Sequence, residues 1–130
     1  MGERIYHVWF GTKRRIPALQ GQIDVDVMRL LTENALRAEA RLLEAETAFD
    51  HVHLVLAVPE GKSLSSVMHQ IKGATSRALF LKYPDLKSDM HESALWQKGY
   101  SFRRLEPDDI AAARGYVRTQ QSRPLRHEHG

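Results

Sequence analysis

Leu42-Leu43-Glu44-Ala45-Glu46-Thr47-Ala48-Phe49-Asp50-His51-Val52-His53-Leu54-Val55-Leu56 decides how this chain folds. Residues 42–49 and 51–58 each read as a strand, and Asp50 sits at a tight connection between them. Strand side chains point alternately to the two faces of a sheet, so His51 and His53 share a face. Val52, Leu54 and Val55 suit a buried strand. Two imidazoles side by side on one strand are the simplest way to offer a metal two nitrogen ligands. Histidine pairs on strands also pack or hydrogen-bond, so the pair alone leaves both readings open.

On the N-terminal side, residues 5–12 are rich in β-formers (Ile5, Tyr6, Val8, Trp9, Phe10) and read as a first strand. Residues 14–21 carry Pro17 and Gly21 and read as a loop. Asp24 can cap a helix running to about residue 40, with Val27, Met28, Leu31, Ala35 and Leu36 at helical spacing. On the C-terminal side, Pro59-Glu60-Gly61-Lys62 is turn chemistry, and Ser63 caps a second helix. Its stripe of Leu64, Val67, Met68, Ile71, Ala74, Ala78 and Leu79 faces a core and stops before Pro84. A polar connection over 85–93 leads to a fourth strand over 95–104, containing Trp96, Tyr100 and Phe102. Pro107 fits the first turn of a last helix reaching about residue 121.

The order β-α-β-β-α-β-α predicts an α+β fold. Its first six elements match the ferredoxin-like (RRM-like) plan, and the last helix is an addition. The length of 130 residues suits one domain: a core over about 3–104, the added helix over about 107–121 and a polar tail over 122–130.

Composition narrows the chemistry. No cysteine is present, which excludes a disulfide scaffold, a thiolate metal site and a cysteine nucleophile. The hydrophobic fraction of 42% and charged fraction of 27% read as globular, and no apolar run approaches the roughly 18 residues of a membrane span. With no signal-peptide pattern at Met1-Gly2-Glu3-Arg4-Ile5, a cytoplasmic protein is expected. The net charge is +3, and arginines crowd the C-terminal part (Arg103, Arg104, Arg114, Arg118, Arg123, Arg126). That distribution suits a phosphate backbone as well as an ordinary solvated surface.

A second constellation stands near the C-terminus. Tyr116 and Gln120 are four residues apart on the last helix and so share a face. A helical tyrosine often packs on a sheet and a glutamine often faces water, so this pair too has an ordinary reading.

Taken together, five ordered blocks cover nearly the whole chain. They are Tyr6-His7-Val8-Trp9-Phe10-Gly11-Thr12-Lys13, Asp50-His51-Val52-His53-Leu54, Lys72-Gly73-Ala74-Thr75-Ser76-Arg77, Leu95-Trp96-Gln97-Lys98-Gly99-Tyr100 and Tyr116-Val117-Arg118-Thr119-Gln120. In order and spacing the chain resembles the single-tyrosine HUH transposases of minimal insertion sequences, the IS200 type. Arg103-Arg104-Leu105 and Arg123-Pro124 are also similar to their REP-associated relatives, which act on chromosomal palindromes.

The resemblance implies that His51, His53 and Gln120 bind a divalent metal, Mg²⁺ or Mn²⁺, and that Tyr116 is the nucleophile. It implies a single-stranded DNA hairpin as substrate and a 5′-phosphotyrosine intermediate. It further implies a homodimer in which the tyrosine helix of one subunit serves the histidine pair of the other. Lys13, Arg14, Lys72, Ser76, Arg77 and Arg118 are the expected DNA contacts. The chemistry suits these residue types. A tyrosine hydroxyl with an ordinary pKa of about 10 is a weak nucleophile at neutral pH, and a metal on the scissile phosphate offsets that weakness. Two further readings compete: a ferredoxin-like single-strand binder without catalysis, and a His-pair metallohydrolase of another class. The first lacks the aromatic ribonucleoprotein signature on its strands, and the second lacks a further carboxylate or histidine ligand.

Overall fold

The computed structural model describes residues 2–90 and 94–119. The four strands are β1 (Arg4–Gly11), β2 (Arg41–Ala48), β3 (His51–Val58) and β4 (Ser101–Leu105). The helices are α1 (Gly21–Arg37), α2 (Leu64–Lys82), α3 (Pro84–Met90) and α4 (Ile110–Arg118). The strands form one antiparallel sheet in the order β2-β3-β1-β4. With α1 and α2 as the crossovers, this is the expected ferredoxin-like α+β fold. No described helix is long and apolar enough to cross a membrane.

Strand alternation divides β3 between two cores. Val52, Leu54, Leu56 and Val58 join Tyr6, Val8 and Phe10 of β1 in the main core with α1 and α2. Val55 joins Leu105, Ala113 and Val117 in a smaller core on the other face, with Ile5, Leu43, Ile110 and Tyr116 packed against it. The last helix therefore closes over the face that α1 and α2 leave open, the face on which His51 and His53 lie.

Four local differences from the sequence reading have physical causes. Helix α1 begins at Gly21 and not Asp24, and the chain turns into it at Gly21 with φ +58, a left-handed conformation that glycine adopts cheaply. Asp24 then sits in the first turn, where a carboxylate is favoured, and accepts a hydrogen bond from Thr47 Oγ1. Residues 84–90 are helical: Pro84 opens α3 and Met90 is buried. The run 95–104 is not one strand. Trp96 bridges Thr12 and Ser101 pairs with Trp9, so two extra residues bulge out of the ladder between them, at Gly99 with φ +74. Finally, the segment after β4 enters α4 through a 3₁₀ turn at Pro107–Asp109, with a capping box between Glu106 and Asp109.

Candidate active site

The site grows from β1 and β3, the two central strands. Their register sets Trp9 opposite His53, Gly11 opposite His51 and His7 opposite Val55. His7, Trp9, His51 and His53 therefore share one face. The rings of His51 and His53 are 5.1 Å apart between centroids. His53 is buried, while the His51 side chain keeps 16% exposure. Helix α4 carries Tyr116 over this face. The Tyr116 ring lies 5.9 Å from that of His53 and 5.8 Å from that of His7, edge-on to both. Residues 63 positions apart in the chain are thus neighbours within one chain, whereas the family resemblance implied that they meet across two subunits.

Each histidine of the pair has its Nδ1 engaged. His51 Nδ1 lies 2.9 Å from Asp50 Oδ1, and Arg15 Nη2 reaches the same carboxylate oxygen at 3.3 Å. Burial pushes the Asp50 carboxyl up, but the hydrogen bonds from His51 and Arg15 outweigh it and hold the group below its ordinary range. His53 Nδ1 lies 3.0 Å from His7 Nε2 in a buried contact. Burial, reinforced by the Arg103 charge opposite it, lowers the His7 pKa to about 4, so His7 is neutral at physiological pH.

This arrangement fits a divalent cation. Histidine ligands commonly use one ring nitrogen for the metal and the other for a carboxylate or another acceptor that fixes the tautomer. If Nδ1–H of His51 donates to Asp50 and Nδ1–H of His53 donates to His7, Nε2 of each ring is the atom a cation would use. Among the described residues no group of three His, Cys, Asp or Glu is placed to hold a metal. A third donor therefore has to come from elsewhere. Gln120, the expected third ligand, lies outside the described residues.

The expected DNA contacts fall into two groups. Lys13 and Arg14 lie in a turn at the His51 end of the sheet, where Arg14 and Arg15 both adopt left-handed φ (+54 and +56). Arg77 is exposed on α2. Arg14 Nη2 also donates to the Met90 carbonyl at 2.6 Å, and the other three are likewise engaged within the protein. Lys72 Nζ donates to the carbonyls of Gln97 (3.0 Å) and Gly99, and lies 5.2 Å over the Phe10 ring. Burial lowers its pKa to about 8. Ser76 is buried, and its Oγ accepts from the Leu95 backbone at 3.1 Å. Lys72 and Ser76 thus hold the 95–99 segment against α2. Arg118 pairs with Glu44 at 2.9 Å, beside Arg114 at 3.4 Å, and so ties α4 to β2. A Cβ at Gly73 would meet the Arg77 guanidinium at 3.3 Å.

Sequence reasoning did not single out His7, Arg15, Trp9 or Arg103 as site residues. Arg15 was visible only as part of a basic run, although it flanks Asp50 and His51. His7 and Trp9 show the same i, i+2 spacing on β1 that drew attention to His51 and His53 on β3. That shared alternation was the available signal.

Residues 2–120 match the family model described as transposase, IS200 like. The transposase of insertion sequence element IS200 from Salmonella typhimurium is 35% identical over 95 residues, covering 73% of this chain and 62% of that protein. This chain therefore spans less than two thirds of that relative's length. A crystal structure from Deinococcus radiodurans R1 assigned as a transposase superposes with a TM-score of 0.76 at 24% identity, covering 93% of each chain. The structure of a REP-associated tyrosine transposase bound to a REP hairpin superposes with a TM-score of 0.71 at 14% identity, covering all of this chain and 70% of that one. With the family model spanning nearly the whole chain, this protein belongs to the IS200-like transposases.

Proposed function

We propose that this protein cuts and rejoins single-stranded DNA beside a hairpin, through a covalent bond between Tyr116 and the DNA 5′ end, with a divalent metal held by His51 and His53. The observation that carries this reading is the meeting of Tyr116 with His53, at 5.9 Å between ring centroids, on the face that also bears His51. The hairpin is favoured by the fold shared with the REP-hairpin complex. Gln120, four residues beyond Tyr116, is the natural third ligand.

When bound, Mg²⁺ or Mn²⁺ would draw charge from the scissile phosphate and orient it for in-line attack. The protein's own part is positional. Asp50 and His7 hold the two imidazoles in the tautomer that offers Nε2. Helix α4 brings the Tyr116 hydroxyl over the same face. The Tyr116 Oη–phosphorus bond forms as the phosphorus–O3′ bond breaks. The phenolic proton leaves to solvent, and the departing 3′ oxygen takes one up. The product is a 5′-phosphotyrosine and a free 3′-OH, and the reverse attack by a 3′-OH rejoins strands without an external energy source. The basic turn of Lys13, Arg14 and Arg15 flanks the His51 end, where it can meet the phosphate backbone.

One chain makes the Tyr116–His53 contact by itself. The homodimer implied by the family resemblance would re-form the same pair across an interface by exchanging α4. Acting on DNA, the protein would work in the cytoplasm at the nucleoid.

The test uses labelled single-stranded hairpin DNA from the flanks of the gene. Cleavage is expected with Mn²⁺, none with chelator, and none on the fully duplex form. Cleavage that persists in chelator would contradict the metal assignment.

A further inference from the structure

Helix α4 covers only part of its sheet face. It packs mainly over β2 and β3, reaches β1 and β4 only at Ile5, His7 and Leu105, and leaves beside Tyr116 a cavity of about 550 Å³. Its walls are His7 and Trp9 of β1, Arg103 of β4, and Ala112, Ala113 and Tyr116 of α4. Three features define what it can hold. The two alanines keep the helix wall low, so the space is a slot beside the nucleophile and not a filled contact. Trp9 lies nearly parallel to His53, at 16° and 6.2 Å between centroids, and its ring lines the cavity. Arg103 is exposed, directly across the ladder from His7, and supplies the one fixed charge among the described residues that line the cavity.

We propose that this cavity receives one unstacked nucleobase of the DNA strand, that of a nucleotide joined to the phosphate that Tyr116 attacks. The inference rests on the proposed DNA chemistry and specifies how the strand is held for it. An aromatic ring accepts the π-face of any base, and the volume lies in the usual range for small-molecule sites. Arginine offers only donors, so the slot favours a base edge carrying acceptors. Guanine, with O6 and N7 side by side, suits a guanidinium best. Seating that base fixes the attached phosphate against Tyr116, so the pocket sets both the cleavage position and the base preferred there. A base lodged here leaves the backbone outside, towards the open β1 and β4 side of the sheet.

The experiment is single-turnover cleavage of the hairpin oligonucleotide with Mn²⁺, with each of the two nucleotides flanking the cut replaced in turn by an abasic residue. Wild-type protein on intact DNA first reports on the chemistry: no covalent adduct there overturns the proposed function and not the pocket alone. Given an adduct, one abasic position is expected to slow cleavage by about 5- to 150-fold, the effect of one lost base–aromatic stack. Trp9→Ala should slow cleavage of intact DNA by a similar factor and show no further loss on the abasic strand. A variant that only disturbed His53 would keep the abasic penalty. Arg103→Gln should narrow the difference between guanine and the other bases at that position. In Tyr116→Phe protein, 2-aminopurine at the same position should be quenched on binding, and Trp9→Ala should relieve the quenching. Cleavage within two-fold of intact DNA at both abasic positions would overturn the pocket assignment, as would an abasic penalty undiminished by Trp9→Ala.

Discussion

His7 Nε2 and His53 Nδ1 lie 3.0 Å apart in a buried contact, diagonally across neighbouring strands. Two neutral imidazoles in contact must divide the roles of donor and acceptor. If His53 keeps Nε2 for a cation, its Nδ1–H donates and His7 accepts, which sets the His7 proton on its own Nδ1. His7→Phe should therefore weaken Mn²⁺ binding by about 10–100-fold, the usual effect of losing a ligand-orienting partner. His7→Gln, which can still present an acceptor oxygen, should recover part of it. Titration of free Mn²⁺ by electron paramagnetic resonance reads the affinity directly. Nitrogen-15 shifts of the metal-free protein report the His53 tautomer. Unchanged affinity in His7→Phe would remove His7 from the metal site.

Lys72 separates a structural cation from a DNA-binding one. Its ammonium joins the Gln97 and Gly99 carbonyls across the bulge before β4. Lys72→Met should lower stability by about 0.5–1.5 kcal/mol in denaturant unfolding, the usual net worth of such a hydrogen bond. It should leave the salt dependence of DNA binding unchanged. Lys13→Gln and Arg77→Gln should each reduce that slope by about one while stability stays within about 0.5 kcal/mol. A reduced slope in Lys72→Met would return it to the DNA contacts.

The sequence made much of this fold and site legible, for identifiable reasons. The hairpin of β2 and β3 was readable because Val52, Leu54 and Leu56 alternate with His51, His53 and Val55, and both faces are packed. The proximity of Tyr116 to the histidine pair came from ordered motifs, since nothing in local spacing joins residue 116 to residue 53. The break in the 95–104 strand escaped notice because Gly99 reads equally as a strand residue or a bulge until its φ is known. Helix α3 escaped because its seven residues show only Leu86 and Met90 as apolar anchors. His7 looked like any strand histidine. Its partner lies 46 residues away and is set by register, which no single-strand pattern contains.

Acid stability tests a buried anion away from the active face. Asp26 is almost fully buried on α1 and accepts hydrogen bonds from Lys82 at 2.8 Å and Tyr83 at 2.5 Å. The Lys82 bond, then the Tyr83 bond, holds its pKa far below the ordinary carboxylate value. The unfolded chain therefore binds more protons than the native one in acid. This contribution is complete above about pH 4 and is lost as pH falls from there towards the native pKa. Urea midpoints measured from pH 7 to pH 3 should drop more steeply for wild type than for Asp26→Asn. Parallel curves would mean that Asp26 titrates as it does in the unfolded chain.

Subunit exchange is tested by complementation. Because Tyr116 meets His53 within one chain, a mixture of His51→Ala and Tyr116→Phe proteins should stay inactive while α4 remains on its own sheet. Cleavage restored in the mixture, but by neither variant alone, would demonstrate that α4 crosses to a partner subunit.

The covalent bond itself is the most direct test of the account. Wild-type protein and Tyr116→Phe would each be incubated with Mn²⁺ and hairpin DNA from the gene's flanks, digested with protease and analysed by mass spectrometry. The account predicts a nucleotide attached through its 5′ phosphate to the peptide containing Tyr116, together with a free 3′-OH fragment, and neither with Tyr116→Phe. Cleavage by wild type without any peptide–DNA adduct, or equal cleavage by Tyr116→Phe, would contradict it.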